Sequence, residues 1–548
     1  MPRPVKSAPR GFGRPEGGLL PVVSESWGPS ARCFRKLGAF CPQGRLHRPS
    51  LRGYLRTDEK PEGFDVISRR GILAGVLAAC AGRVWAEAPA VVPRPPRRPA
   101  PGDDRASARA IEAAKLSGAV AFVVADRVTG KVLAAREADT PLPPASVAKA
   151  VTALYALEKL GPEFRFETRV MRVGAVVNGR LEGDLYLVGG GDPNFDTDQM
   201  GDLVAALAGK GIKEITGRFI ACDGALPYRF QIDAEQPEYL GYNPAISGLN
   251  LNYNRVNFEW KRAGDGYSLT MDARGERFLP RVSGAGVTLA ARELPLFAYE
   301  GEERWTVAQS ALGDSGSRWL PVRQPAAYAA EVFATLAAAH GLRLPKAEVV
   351  AAPPAGAVEL VAHRGEALPE VLQKMLKFST NLTAEIVGLT ASGAGSLEGS
   401  AAAMTDWARR RFGIGAVFGD HSGLGPKSRI TAAELAQVMV RAEAARHGQM
   451  LEGLMRDMGL ADSEGKERKD SPVRIHAKSG TLNFVSNLAG YVVAPQGKLA
   501  FAIIAADPAR RAAVPMAMRE EPTGGPGWTK RARRLHQMLI RRWTERYL

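Results

Sequence analysis

The sequence predicts an α/β (α+β) domain interrupted by a large β-rich insertion. Strand and helix patterns alternate in the first and last thirds of the chain. From about 225 to 325 the pattern is short strands with many turns. The polar motifs that could carry chemistry lie on either side of that middle stretch.

The elements follow in order. Residues 118–126 alternate as a strand, Arg127-Val128-Thr129-Gly130 turns, and 131–135 return. Ser146 opens an apolar run, Ala150, Val151, Ala153, Leu154 and Leu157, with the period of a buried helix. Residues 166–177 and 181–188 read as strands about an Asn178-Gly179 turn. Gly189-Gly190-Gly191-Asp192-Pro193 ends them; no GK[ST] follows, so a tight turn is expected rather than a phosphate loop. Residues 199–210 read as a helix, 213–222 as a strand and 326–342 as an Ala-rich helix. Helices are expected at 368–378, 381–389, 399–412 and 431–446. Residues 483–494 and 498–506, about Pro495-Gln496-Gly497, form a β-hairpin, and a last helix runs from about Thr529. The interrupted domain is therefore placed at 108–170 and 355–548, with the insertion at 171–354.

A net charge of +16 invites a nucleic-acid or membrane reading. Residues 1–88 hold 15 Lys and Arg against 7 Asp and Glu; the much longer remainder holds 58 against 50. The body is only mildly basic, and no basic stretch is interleaved with aromatics, so no nucleic-acid partner is expected. Cys33, Cys41 and Cys80 precede residue 89, leaving Cys222 as a core thiol in an apolar run. Neither a disulfide framework nor a Cys/His zinc spacing is present.

Ser68-Arg69-Arg70-Gly71, the apolar run to Ala79 and the small residues of Ala86-Glu87-Ala88 have the layout of a signal peptide over 66–88. The paired Arg resembles a twin-arginine signal, with an ordinary secretory signal as the alternative. Leu77-Ala78-Ala79-Cys80 also resembles a lipobox, and an uncleaved anchor is a third reading. Each places the body outside the cytoplasm, in the periplasm. Residues 1–65 read as structureless and as the product of a start site called too early, with Val66 as the true start; 89–107 read as a linker.

Ser146-Val147-Ala148-Lys149 puts a hydroxyl and an amine at i and i+3, on one helix face, where they can serve as nucleophile and base. Alone, the motif reads better as a helix N-cap followed by a surface Lys, unless partner motifs appear downstream. Ser379-Thr380-Asn381 stands between two expected helices, and Lys478-Ser479-Gly480-Thr481 opens the first strand of the C-terminal hairpin. S-x-x-K, S-x-N and K-T-G in this order are the signature of β-lactamases and penicillin-binding proteins.

The long β-rich gap from Lys149 to Ser379 narrows the resemblance. The chain resembles the class C low-molecular-mass penicillin-binding proteins, the D-alanyl-D-alanine carboxypeptidase/endopeptidases of the penicillin-binding protein 4 type. The segments 184–193, Ser247-Gly248-Leu249-Asn250-Leu251-Asn252-Tyr253-Asn254 and Asp420-His421-Ser422-Gly423-Leu424 fit it, and it covers about 108–548. Thr380 stands where Asp is common, and Ser479 where Thr is common. The fold implied is a penicillin-binding/β-lactamase-like serine transpeptidase domain.

The resemblance implies a serine-type carboxypeptidase that trims peptidoglycan stem peptides ending in D-Ala-D-Ala, is acylated by β-lactams, and uses no metal and no cofactor. Ser146 would attack and Lys149 would take its proton. Bringing a lysine from ~10.4 to near neutrality amounts to about 4 kcal/mol, which burial and the Lys478 cation would supply. Ser379 would relay a proton, Asn381 would hold Lys149 and the substrate amide, and Lys478 would face the substrate carboxylate. The N–H groups of Ser146 and Thr481 would form the oxyanion hole, with Ser479 and Gly480 beside the substrate. Glu238 is the counterpart of an acid that relatives bring from the insertion.

Asp420-His421-Ser422 is adjacent in sequence and reads as a loop near the cleft rather than a triad. His476 reads as structural. Trp528, Ala532, Leu535, Leu539 and Trp543 form one stripe of the last helix, expected to pack on the sheet; a peripheral membrane contact is the alternative. A β-lactamase or esterase on the same scaffold and a non-catalytic cell-wall binder are the competing functions. N-terminal sequencing of the exported protein is expected to begin at Pro89; recovery of any peptide from 1–65 would overturn the start-site reading.

Overall fold

A computed structural model describes residues 105–462, 467–468 and 470–548. The signal-peptide, lipobox and start-site readings, and most of the linker reading, lie outside these residues. Helix α1 (Arg105–Ala114) is followed by strands β1 (Ala119–Asp126) and β2 (Val132–Arg136). A 3-10 turn, Ala145–Val147, runs directly into α2 (Ala148–Leu160). After the insertion come α3 (Leu368–Phe378), α4 (Asn381–Ser392), α5 (Leu397–Phe412) and α6 (Ala432–Val440). Strands β3 (Arg456–Gly459), β4 (Arg474–Leu482), β5 (Val485–Ala494) and β6 (Gly497–Ala506) and the last helix, α7 (Gly525–Tyr547), complete the domain.

The six strands form one antiparallel sheet in the order β3-β4-β5-β6-β1-β2. Successive side chains point to opposite faces, so the apolar strands supply two cores. Ala121, Val123, Ala489, Tyr491, Ala502 and Ile504 pack with α2 to α6. Val120, Phe122, Val124, Ile475, Phe501 and Ile503 pack with α7. Trp528, Leu535, Leu539 and Trp543 of α7 are all buried there. The apolar stripe of this helix is thus consumed by the sheet and none is left to enter a membrane.

The insertion has its own core, built on a sheet that includes Arg165–Val177, Arg180–Gly189, Phe219–Cys222, Glu348–Val350 and Val358–Ala367. Its first and last strands pair with each other from Arg165↔Ala367 to Arg172↔Val358. The insertion therefore runs from 165 to 367, and the expected limits of 171 and 354 cut through one of these strands and just before the other. Periodicity identifies a strand but not the sheet it joins. Cys222 is a buried free thiol, and burial pushes its pKa to about 11.

Four further expectations need correction. Lys478-Ser479-Gly480-Thr481 is not on the first hairpin strand but on β4, a separate strand that pairs with it. The turn between them is Asn483-Phe484, with Phe484 at φ 56, and carries no Gly or Pro signal. The 213–222 strand is broken into Glu214–Ile215 and Phe219–Cys222. The helix expected to reach 446 ends at Val440, followed by a 3-10 turn. The last helix begins at Gly525, ahead of Thr529.

Trp543 has no exposed surface and lies 5.2 Å from the ring of Phe122 and 6.3 Å from that of Phe501. Trp543→Ala is expected to cost about 3–5 kcal/mol, read as a fall in the urea midpoint of unfolding. An unchanged midpoint would contradict the packing described for α7.

Candidate active site

The nucleophile turn is made by close packing. Pro143 and Pro144 stiffen the chain before it, and both their carbonyls accept hydrogen bonds from Asn487 Nδ2 of β5, at 2.9 and 2.7 Å. Strand β4 passes so near that a Cβ at Gly480 would stand 3.0 Å from both Pro144 O and Ser146 N. A side chain at Gly480 would therefore crowd the nucleophile turn, and the constraint there is distance rather than a turn conformation. On the far side a Cβ at Gly423 would fall 2.0 Å from Ala145 O. Ser146 is partly exposed, whereas Lys149 one turn on is completely buried.

Lys149 Nζ has three partners at 2.8 Å: Ser146 Oγ, Asn381 Oδ1 and the carbonyl of Ser422. Two of these only accept, so they take two amine N–H groups. The third is a hydroxyl and can donate. A neutral amine satisfies the set with its lone pair toward Ser146. Burial lowers the Lys149 pKa to about 7, against the opposing pull of Glu385 and Asp420.

Ser379 and Asn381 come from the tight α3–α4 turn. Ser379 adopts a left-handed conformation, φ 61 and ψ 33, unusual for a residue with a Cβ. Its Oγ accepts from Lys478 Nζ at 2.9 Å, and Lys478 also donates to Ser479 O at 2.7 Å. Lys478 is buried, and its pKa falls well below the usual lysine range, first by desolvation and then by the Lys149 and Arg456 charges. It faces Ser379, so the expectation that it presents a fixed cation to a substrate carboxylate does not fit its position. Desolvation is the largest cause of the lowered Lys149 pKa, and the repulsion between the two lysines acts in the same direction. Strand β3 pairs with β4 only as far as Ala477, leaving the edge from Lys478 to Thr481 without a strand partner among the described residues. Ser479 and Thr481 are exposed along it.

Glu385 and the Tyr242 carbonyl carried no recognisable sequence signal, whereas the 420–424 segment, expected as a loop near the cleft, is one. Glu385, one helical turn beyond Asn381 and fully buried, accepts from the N–H groups of His421 and Ser422 at 2.9 Å each. It holds the loop whose Ser422 carbonyl holds Lys149. Burial raises the Glu385 pKa, and the Asp420 charge adds to that. Asp420 closes the same loop by accepting from Gly423 and Gly425 N–H, both at 2.6 Å. His421 packs away from Ser146, its ring against Ser400 Oγ at 2.6 Å, and burial drives its pKa to about 3. Asp420-His421-Ser422 is thus a scaffold and not a triad. His476 lies on β4 opposite Asp457 and Tyr491. From the insertion, Tyr242 O accepts from Asn381 Nδ2 at 3.0 Å. Glu238 is exposed, and it is its carbonyl that is held, by the Arg323 guanidinium. The insertion contacts Asn381 through Tyr242 rather than Glu238.

If neutral Lys149 is the base, acylation by a labelled β-lactam should rise with pH through about 7 and level off above it. The check is the second-order labelling rate from about pH 5 to about pH 9; a rate still climbing tenfold per pH unit at the top of that range, as an ordinary lysine value of ~10.4 would give, would refute it.

Comparison with known proteins bears on this geometry. Residues 105–521 match the model of the D-Ala-D-Ala carboxypeptidase 3 (S13) family. The chain is 28% identical over 425 residues to a D-alanyl-D-alanine carboxypeptidase of Actinomadura sp. (strain R39), covering 72% of this chain and 79% of that one. It is 24% identical over 284 residues to D-alanyl-D-alanine carboxypeptidase DacB of Haemophilus influenzae, covering 48% and 57%. The crystal structure of penicillin binding protein 4 (dacB) from Haemophilus influenzae superposes with a TM-score of 0.61 at 21% identity, over 73% of this chain and 93% of that one, and so shares the fold. With the match spanning α1, the whole insertion and all six strands of the sheet, the chain belongs to the D-Ala-D-Ala carboxypeptidase 3 (S13) family.

Proposed function

We propose that this carboxypeptidase cleaves the terminal D-Ala-D-Ala bond of peptidoglycan stem peptides through an acyl-enzyme on Ser146. The observation that carries the reading is the buried Lys149 amine, 2.8 Å from Ser146 Oγ and held by two obligate acceptors. Lys149 takes the Ser146 proton as Oγ attacks the scissile carbonyl. The N–H groups of Ser146 and Thr481 receive the oxyanion. Ser379 relays the proton from Lys149 to the departing amine, giving its own and receiving that of Lys149, so that Lys149 is neutral again; Lys478 Nζ, 2.9 Å from Ser379 Oγ, holds the hydroxyl in place. The D-alanine leaves, and water attacks the ester with Lys149 again as base. The open edge of β4 gives the peptide backbone a strand to lie against.

A β-lactam supplies its ring amide to the same attack and leaves Ser146 esterified. Export to the periplasm, as the Arg69-Arg70 signal reading requires, would bring the site to its substrate.

The test is labelling with fluorescent penicillin followed by assay of D-alanine release from a D-Ala-D-Ala peptide. Persistent labelling and release that both vanish in Ser146→Ala are expected. Ser379→Ala is expected to lower the acylation rate by roughly 10² to 10⁴. Fast turnover of the drug would favour the β-lactamase alternative; neither labelling nor release would leave a non-catalytic wall binder.

A further inference from the structure

The burial of Lys478 leaves a chemical requirement unmet. A carboxypeptidase acts on a chain end, and that end is an anion. Lys478 spends its amine on Ser379 Oγ and Ser479 O beneath the strand. The exposed groups at this end of the edge are the side chains of Ser479 and Thr481, hydroxyls that can each donate one hydrogen bond to a carboxylate but carry no charge to balance it.

Strand alternation places Ser479 and Thr481 on the same face as Ile475 and Ala477, which pack against α7. The outer side of α7 is strongly basic: Lys530, Arg531, Arg533 and Arg534 are all exposed. Of these, Arg533 approaches the edge, with Nη2 3.4 Å from Thr481 Oγ1. Among the described residues no carboxylate lies within ion-pair distance of it, so its guanidinium keeps donors for a ligand.

We propose that Arg533 binds the C-terminal carboxylate of the peptide substrate, together with the hydroxyls of Ser479 and Thr481, and so selects chain ends over internal bonds. Thr481 links the two halves of this arrangement. In the mechanism above its N–H serves the scissile carbonyl, and its Oγ1 lies 3.4 Å from Arg533 Nη2. The planar fork of an arginine matches a carboxylate where a lysine presents only a point charge. This inference rests on the serine carboxypeptidase reading above.

The experiment compares wild type, Arg533→Ala, Arg533→Lys and two controls, Arg534→Ala on the same basic face and Arg456→Ala, the cation that acts on Lys478. Each is assayed on a blocked peptide ending in D-Ala-D-Ala and on the same peptide with its carboxylate amidated. Arg533→Ala should lower kcat/KM for the free acid roughly tenfold, chiefly through KM, with an unchanged Tm. Arg533→Lys should recover part of the loss and Arg534→Ala should match wild type. The amide should be handled alike by wild type and Arg533→Ala; if it is too slow to follow, its Ki against the free acid gives the same comparison. Equal losses on both peptides, no loss on the free acid, or a loss confined to Arg456→Ala would overturn the assignment of Arg533. A folded wild type that releases no D-alanine would overturn the carboxypeptidase reading and this inference with it.

Discussion

The site depends on one buried amine. Leaving a lone ammonium inside a protein costs several kcal/mol, and Lys149 has no exposed surface. The structure meets this cost by lowering the charge rather than pairing it, since the three atoms at 2.8 Å are two neutral acceptors and one hydroxyl. Those partners come from the nucleophile turn, the α3–α4 turn and the 420–425 loop. One amine therefore ties three otherwise separate segments, and a displacement of any of them changes its proton affinity.

The surroundings make that knot rigid. Helix α2 is buried along ten successive residues, so the lysine cannot swing out with its helix. Glu385 and Thr152 hold the 420–425 loop from two helices, Thr152 by donating to His421 O at 2.7 Å. The insertion adds a further hold. Arg323, itself fully buried, donates to Phe230 O at 2.9 Å and Asn243 O at 3.0 Å. It thereby fixes the loop whose Tyr242 carbonyl holds the Asn381 amide. The Asn381 side chain is thus set from both sides, by the nucleophile's base and by the inserted domain. A module with its own core thus reaches the active site through a backbone carbonyl.

Much of the site was legible in the chain because its parts are short-range. Ser146 and Lys149 are three residues apart on a helical repeat, and Ser379 and Asn381 flank one turn. Lys478 to Thr481 falls on a strand, though on β4 and not on the hairpin. Glu385 and Asn487 were not legible, because a buried Glu or Asn has no local pattern; its meaning lies in backbone groups that stand 36 and 344 residues away. The Ser422 and Tyr242 carbonyls were more hidden still, since every residue has one. The orientation of Lys478 was misjudged for a related reason. A strand's period says which side chains share a face, not which face is dry.

By itself the sequence determined the local conformations, the order of the motifs and the resemblance that places the chain among D-alanyl-D-alanine carboxypeptidases. Helix and strand periods, turn residues and motif spacing are set by a few neighbouring side chains, so they survive in one dimension. Only the tertiary structure decided where the insertion begins and ends, that Lys149 is dry and that Lys478 turns inward. It also decided that Arg533 stands beside Thr481. Burial, and the proton affinities that follow from it, belong to the packing of distant segments. No stretch of sequence contains the dielectric around its own side chains.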